Sequence, residues 1–302
     1  MIEINHVTKA FDDVTAVDDL SITIRDKSVF GLIGTNGAGK STLIRMISGI
    51  YKCDFGNIQI ENEDVFENEA VKQNIFLIPE EQYFMSNYTP LLLGKYYATQ
   101  YPNFDMDRYL KLLDDFGLDK DKKIRSFSKG MKKQVQMLLG LSANTKYLIC
   151  DETFDGLDPV MRFAVKSLIA NDMVERGLTC IISSHNLREL EDVCDYIGLL
   201  HKGGILLSEE LDNLKFNLHK VQCVLQEDDT LESIETTEGI KIIHKEARGR
   251  LLTLTLEGNE ELVNKAFEEK NCVFYEIIPL TLEEIFISKT KEVGYDVKSI
   301  NF

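Results

Sequence analysis

Gly34-Thr35-Asn36-Gly37-Ala38-Gly39-Lys40-Ser41-Thr42 satisfies the phosphate-loop pattern G-x-x-x-x-G-K-[ST] at every fixed position. Its flanks agree. The apolar run Val29-Phe30-Gly31-Leu32-Ile33 leads in as a buried strand, and Leu43, Ile44, Met46 and Ile47 follow at helical spacing. Strand, glycine loop and helix in that order predict an α/β phosphate-loop NTPase. Glycines at 34, 37 and 39 let successive backbone N–H groups turn inward on a β-phosphate, and the N-terminal end of the helix adds partial positive charge. The candidate triphosphate site is therefore Gly34, Asn36, Gly37, Ala38, Gly39, Lys40, Ser41 and Thr42. Lys40 is expected to reach the β- and γ-phosphates, and Ser41 to ligate Mg²⁺. A turn kept only for packing would not require the Gly-Lys-Ser-Thr ending after a strand.

The chain of 302 residues is long enough for a large domain and a smaller one, and 44% apolar residues supply ordinary cores. Its net charge of −16 argues against a nucleic-acid partner and against an anionic membrane surface. No window approaches the roughly 18 consecutive apolar residues of a spanning helix, and Met1-Ile2-Glu3-Ile4-Asn5 lacks the features of a signal peptide, so a cytoplasmic location is expected. The six cysteines, at 53, 150, 180, 194, 223 and 272, form no C-x-x-C pair and read as free, largely buried thiols.

Alternating apolar residues at Ile2, Ile4 and Val7, then at Leu20, Ile22 and Ile24, predict two antiparallel strands. Phe11 lies between them, upstream of the loop, where an aromatic can stack on a purine base; Val17 is the candidate for the ring's other side. Ile75-Phe76-Leu77-Ile78 reads as a strand buried on both faces and stops at Pro79, followed by Glu80 and Glu81. From Tyr83 to Phe116 the chain becomes rich in Tyr, Phe and Leu at helical spacing, with Leu91, Leu92, Tyr96, Tyr109, Leu112, Leu113 and Phe116, and reads as an inserted helical subdomain whose aromatics are mostly core, with Tyr83, Phe84 and Tyr88 as a candidate partner-facing patch. Ser128 precedes an amphipathic helix and suits an N-cap. Tyr147-Leu148-Ile149-Cys150 ends in Asp151 and Glu152, two carboxylates at the carboxyl end of a buried strand, where α/β sheets bind ligands. Asp151 is the expected Mg²⁺-side carboxylate and Glu152 the candidate general base. Asp158 before Pro159 reads as a helix cap, and His185, ending the run Thr179 to Ser184, is placed to meet a γ-phosphate. Beyond about residue 212 no nucleotide motif recurs. There the order strand, helix, hairpin, helix, strand predicts a split βαβ, ferredoxin-like module.

Taken together, residues 1 to about 210 resemble the ATP-binding subunit of an ABC transporter. Gly34 to Thr42 is similar to that family's Walker A, Ser128-Lys129-Gly130-Met131 to a variant of its Ser-Gly-Gly-Gln signature, and Leu148 to Glu152 to its Walker B with the catalytic Glu. Phe11 then falls on the adenine-stacking aromatic, Asp158 on the D-loop Asp and His185 on the switch histidine. Two positions depart from the pattern. Glu80 stands where a Mg²⁺-binding Gln is usual, and Lys129 and Met131 replace a Gly and the Gln of the signature, leaving Ser128 and Gly130 to meet the γ-phosphate. The Phe-Ser-Lys-Gly-Met form, Pro-Glu-Glu, and Leu282-Glu283-Glu284-Ile285-Phe286 resemble bacterial ATPases paired with ABC-2-type export permeases.

The resemblance implies a RecA-like core with an antiparallel β subdomain and a helical subdomain at about 81–145 in a domain of residues 1–212; by its strand and helix order the remainder, 213–302, reads as an accessory α+β domain. It also implies a dimer that sandwiches two ATP molecules, each between the Walker A of one chain and the signature of the other. Ser41, Asp151 and Glu80 would place Mg²⁺, Glu152 would activate water, and Lys40 and His185 would hold the γ-phosphate. A membrane permease would dock near Glu80–Tyr88, with the ATPase peripheral to the membrane through it. A soluble ABC ATPase acting on ribosomes or DNA would normally bring tandem nucleotide domains or a coiled-coil insertion with basic surfaces, and this chain has neither. A phosphate-loop kinase or GTPase would lack the Ser128 block, and a sensor without turnover would not need Glu152.

Overall fold

The computed structural model describes residues 1–154, 157–226, 231, 234, 236–270 and 272–292, which fall into two compact units divided between Ser208 and Glu209. The first unit begins with β1 (Ile2–Phe11), β2 (Val14–Ile24), β3 (Val29–Gly34), α1 (Lys40–Ile47), β4 (Phe55–Ile60), β5 (Glu63–Asp64), α2 (Glu69–Lys72) and β6 (Ile75–Ile78). Helices α3 (Pro90–Gln100), α4 (Met106–Asp115) and α5 (Lys129–Ser142) follow. Then come β7 (Tyr147–Asp151), α6 (Pro159–Arg176), β8 (Thr179–Ser184), α7 (Leu187–Glu191), β9 (Tyr196–His201) and β10 (Gly204–Glu210).

Two sheets result. One is four-stranded, β2-β1-β4-β5, with antiparallel neighbours; the other is six-stranded, β10-β9-β3-β8-β7-β6, with parallel pairing from β9 through to β6. The sequence patterns explain the difference. Every residue of β3, β7 and β8 is buried, as strands covered on both faces require, whereas β2 alternates buried and exposed positions toward its end. Leu43, Ile44, Met46 and Ile47 of α1 join one core with Ile2, Ile4 and Leu20 of the antiparallel sheet and with Phe30, Leu32 and Ile149 of the parallel one. That shared core fixes the glycine loop at the end of β3.

The helical segment corrects one expectation. Tyr96 is 50% exposed rather than core, and Leu92 is 46% exposed. The inward face of α3 is instead Pro90, Leu93 and Gly94, because Gly94 lies directly against the Tyr109 ring: a Cβ there would come within 2.6 Å of it. The thiols of Cys150, Cys180, Cys194 and Cys223 are buried and free, Cys53 is free and half-buried, and Cys272 is half-buried. The hydrogen bond with Cys180 and burial push the Cys150 thiol well up, and burial does the same for Cys194, so neither is a reactive thiolate.

The second unit contains α8 (Leu211–Asn217), β11 (Leu218–Val224), β12 (Lys241–Arg248), β13 (Leu251–Glu257), α9 (Glu260–Glu269), β14 (Phe274–Pro279) and α10 (Leu282–Glu292). Its antiparallel sheet runs β12-β13-β11-β14. Val221, Cys223, Leu254 and Leu256 turn one face into a core with Val263 and Phe267 of α9. The first of the two helices expected in this module, around Leu231 and Ile234, falls largely outside the described residues.

Candidate functional site

Strands β3, β8 and β7 lie side by side and end together, with Ile33 opposite Ser184 and Asp151 opposite Ser183. Parallel pairing thus brings the glycine loop, His185 and the Asp151-Glu152 pair to one edge of the sheet.

The loop has the geometry of an anion cradle. Ala38 N–H turns back on the Thr35 carbonyl at 3.0 Å, and Leu43 is the first helical amide to find an intrahelical acceptor, the Gly39 carbonyl at 2.9 Å. The amides of Gly37, Gly39, Lys40, Ser41 and Thr42 have no acceptor among the described residues, and no side chain caps the helix. A row of convergent, unused N–H donors at a helix N-terminus fits a phosphate chain. Gly39 makes the turn possible: its φ is +104°, and a Cβ there would sit 2.3 Å from the Ala16 carbonyl oxygen. The hairpin between β9 and β10 braces the loop from outside, Gly203 N–H donating to the Ala38 carbonyl at 3.1 Å.

Lys40 is 5% exposed; its ammonium donates to the Gly34 carbonyl at 2.8 Å and lies 3.6 Å from Glu152 Oε1. His185 Nδ1 is 3.1 Å from the other oxygen, Glu152 Oε2. Ser41 Oγ donates to Asp151 Oδ1 at 3.3 Å, and Ser183 Oγ donates to the same oxygen at 2.7 Å. Glu152 has φ +47°, which for a residue with a Cβ costs about 1–3 kcal/mol. Its N–H donates to Ser183 Oγ at 3.0 Å and to the Ser183 carbonyl at 3.2 Å, and Lys133 Nζ donates to its carbonyl at 3.2 Å. At roughly 0.5–1.5 kcal/mol each, such bonds offset that cost and fix the carboxylate's direction.

A hydroxyl and a carboxylate in contact, next to a phosphate cradle, suit Mg²⁺, which usually takes one or two carboxylates and completes its shell with phosphate oxygens and water. Among the described residues no cluster of three or more His, Cys, Asp or Glu could hold a metal alone. Glu80 is exposed, two residues beyond Ile78, which pairs with Cys150; no contact joins it to Ser41 or Asp151.

Phe11 is 41% exposed at the end of β1, edge-on to Tyr51 at 5.4 Å, with Lys9 Nζ 5.4 Å from its ring centroid. Val17 corrects the expectation: it is fully buried in the core, so its side chain has no surface to offer a base. Ser128 caps α5, accepting from Met131 N–H at 3.2 Å, and neither it nor Gly130 contacts Lys40, Ser41 or Asp151 within the chain. Asp158 caps α6 through Val160 and Met161 N–H at 3.1 and 3.0 Å.

Ser183 and Lys133 are the site residues that the sequence did not single out. Ser183 was signalled by a hydroxyl in a wholly buried strand, which must find a partner. Lys133 carries no such mark: it is half-buried, and in sequence it is one of three lysines, 129, 132 and 133, in the first turns of α5 with nothing to single it out.

Residues 17–155 match the family model described as ABC transporter. The chain is 32% identical over 289 residues to the ABC transporter ATP-binding protein YtrB of Bacillus subtilis, covering 96% of this chain and 98% of that protein. It is 33% identical to the bacitracin transport ATP-binding protein BcrA of Bacillus licheniformis, over 71% of each chain. It is 28% identical to a methionine import ATP-binding protein, MetN 1, of Staphylococcus aureus, over 68% of this chain and 64% of that one. A solved ATP-binding subunit of an ABC transporter superposes with a TM-score of 0.66 at 26% identity, covering 71% of this chain and 92% of the other. A relative matched almost end to end thus accounts for the phosphate cradle and the paired carboxylates alike: the chain belongs to the ABC transporter ATP-binding proteins, ATPases that bind ATP with Mg²⁺.

Proposed function

We propose that this ATPase energises export of a substrate through a separate membrane permease of the ABC-2 type, by ATP-driven closure of a dimer. The convergence of Lys40 and His185 on the Glu152 carboxylate carries the catalytic part. Loop amides and Lys40 bind the β- and γ-phosphates of the substrate ATP. Glu152 accepts the proton of the attacking water, and His185, on its far oxygen, holds the carboxylate and meets the γ-phosphate. Ser41 and Asp151 would hold Mg²⁺, with Glu80 reaching it as a further oxygen ligand only once nucleotide is bound, and the bound ion would supply charge neutralisation on the phosphates. ABC ATPase subunits work as dimers with a membrane permease, and Ser128 and Gly130, which make no hydrogen bond to their own chain's loop, serve the ATP of the partner copy. The C-terminal unit is accessory and ferredoxin-like, a reading supported by its sheet order.

Among the described residues no helix is long and apolar enough to cross a membrane; in this reading the permease is a separate chain. Its docking surface is the segment following Glu80, where Tyr83 is 92% and Met85 61% exposed, continued by Leu92 and Tyr96 on α3. Purification of the Glu152→Gln protein with ATP from detergent-solubilised membranes should bring down an integral membrane protein of ABC-2-type topology. Tyr83→Ala with Met85→Ala should release it. A protein recovered wholly without an integral membrane partner would contradict the transport role.

Phe11 is the adenine platform in this scheme. Phe11→Ala should weaken ATP binding by about 1–3 kcal/mol, the range for stacking a base on an aromatic side chain, read by calorimetric titration. Unchanged affinity would leave Phe11 as a partner of Tyr51 and nothing more.

A further inference from the structure

The face of the C-terminal sheet opposite its core carries a cavity of about 540 Å³, within the size range of small-molecule sites. Strand register arranges its floor in rows. His244, Thr255 and Lys220 lie opposite one another across β12, β13 and β11; Glu246, Thr253 and Gln222 form the next row, and Arg248 faces Leu251 beyond them. A register shift between Ile242 and His244 breaks the alternation of β12 and brings Ile243 into the lining beside His244. Bulges of this kind re-aim side chains at sites. Glu284 and Ile287 of α10 form a wall.

The polar groups of this floor are largely unspent. Among the described residues, the Gln222 amide, the Thr253 and Thr255 hydroxyls and the His244 imidazole have no hydrogen-bond partner, although Gln222 and both threonines are half-buried. Arg248 meets Glu246 through Nε alone, at 3.1 Å, which leaves the two terminal nitrogens of its fork for a carboxylate. Lys220 meets Glu284 Oε1 at 2.6 Å, and Glu284 Oε2 accepts from Thr281 N–H at 3.0 Å and Thr281 Oγ1 at 3.2 Å, so Glu246 is the less engaged of the two carboxylates and Glu284 keeps only the free side of Oε1. The lining therefore offers a free cationic fork, two carboxylates, a floor of neutral donors and acceptors, and an apolar flank of Ile243, Leu251 and Ile287. That combination matches a zwitterion with an apolar side chain better than it matches a bare anion, which Glu246 and Glu284 would repel.

We propose that the outer face of the C-terminal sheet binds a free amino acid. Its carboxylate meets Arg248, its ammonium meets Glu246 and Glu284, and its side chain packs on Ile243, Leu251 and Ile287. The site is independent of the nucleotide chemistry.

Calorimetric titration of the full chain with each standard L-amino acid, and with inorganic phosphate and acetate as anion probes, tests it. At least one amino acid with an apolar side chain should bind saturably at one site. Arg248→Ala should weaken that binding by about tenfold or more, the worth of a charge-assisted hydrogen bond. Thr253→Val should also weaken it, while Lys40→Ala leaves it unchanged. Arg248 and Glu246 are exposed, so replacing Arg248 does not threaten the fold. No saturable binding at millimolar concentration by any amino acid would overturn the proposal. So would binding indifferent to both Arg248→Ala and Thr253→Val, or binding of phosphate or acetate equal to that of the amino acids.

Discussion

Glu152→Gln leaves ATP binding intact and lowers turnover by roughly 10²–10⁴-fold, the usual worth of a general base. The amide keeps the shape of the carboxylate and its place beside His185 Nδ1, 3.1 Å away, but it cannot take a proton from water. Because the main-chain bonds to Ser183 and Lys133 do not involve the side chain, the positive-φ turn at this residue persists. Steady-state phosphate release together with calorimetric ATP titration separates the two effects. Turnover within a few-fold of wild type would move the base elsewhere, and lost ATP binding would make Glu152 a structural partner of Lys40.

Gly39→Ala damages binding instead of turnover. The new methyl would lie 2.3 Å from the Ala16 carbonyl oxygen, main chain that no rotamer change can clear, at a φ of +104°. Strain of about 1–3 kcal/mol from the backbone alone corresponds to roughly 5- to 150-fold weaker ATP binding, before the clash is counted. Gly37→Ala is the matched control: its φ is +79°, but a Cβ there meets nothing within 4 Å, so its loss should be smaller. Calorimetric titration of both variants, with circular dichroism to confirm folding, reads the difference. Equal affinities for the two variants would mean that the Ala16 carbonyl does not constrain the loop.

What was legible in the sequence follows from where local and global demands coincide. The loop and its flanking strand and helix were legible because cradle, core and helix start use the same residues, and Ile44 and Met46 fill the core that positions Lys40. Strand ends with carboxylates were legible because a wholly apolar run stops abruptly at Asp151. Leu92, Tyr96 and Val17 were not, since periodicity gives a helix or strand but not which apolar position meets which neighbour. The Gly94–Tyr109 contact decides the inward face of α3, and the core of the antiparallel sheet claims Val17. Ser183 and Lys133 act on Glu152 from 31 and 19 residues away, a pairing that only parallel strand register and helix placement create. The order of the C-terminal strands and helices was legible, but the cavity on the sheet's outer face depends on a bulge that no spacing rule announces.

Ser128 tests the central claim, an ATP site shared between two copies of the chain. Within one chain its hydroxyl only accepts from Met131 N–H, the bond of an ordinary helix cap, and it touches no residue of its own phosphate loop. The most direct measurement is size-exclusion chromatography with light scattering on Glu152→Gln, with and without ATP and Mg²⁺, and on the same protein carrying Ser128→Arg. The shared site predicts twice the monomer mass for Glu152→Gln only when ATP is present, and a monomer that still binds ATP for the double variant, whose arginine blocks the partner's γ-phosphate. A Glu152→Gln protein that binds ATP as a monomer, or a double variant that still dimerises on ATP, would contradict it.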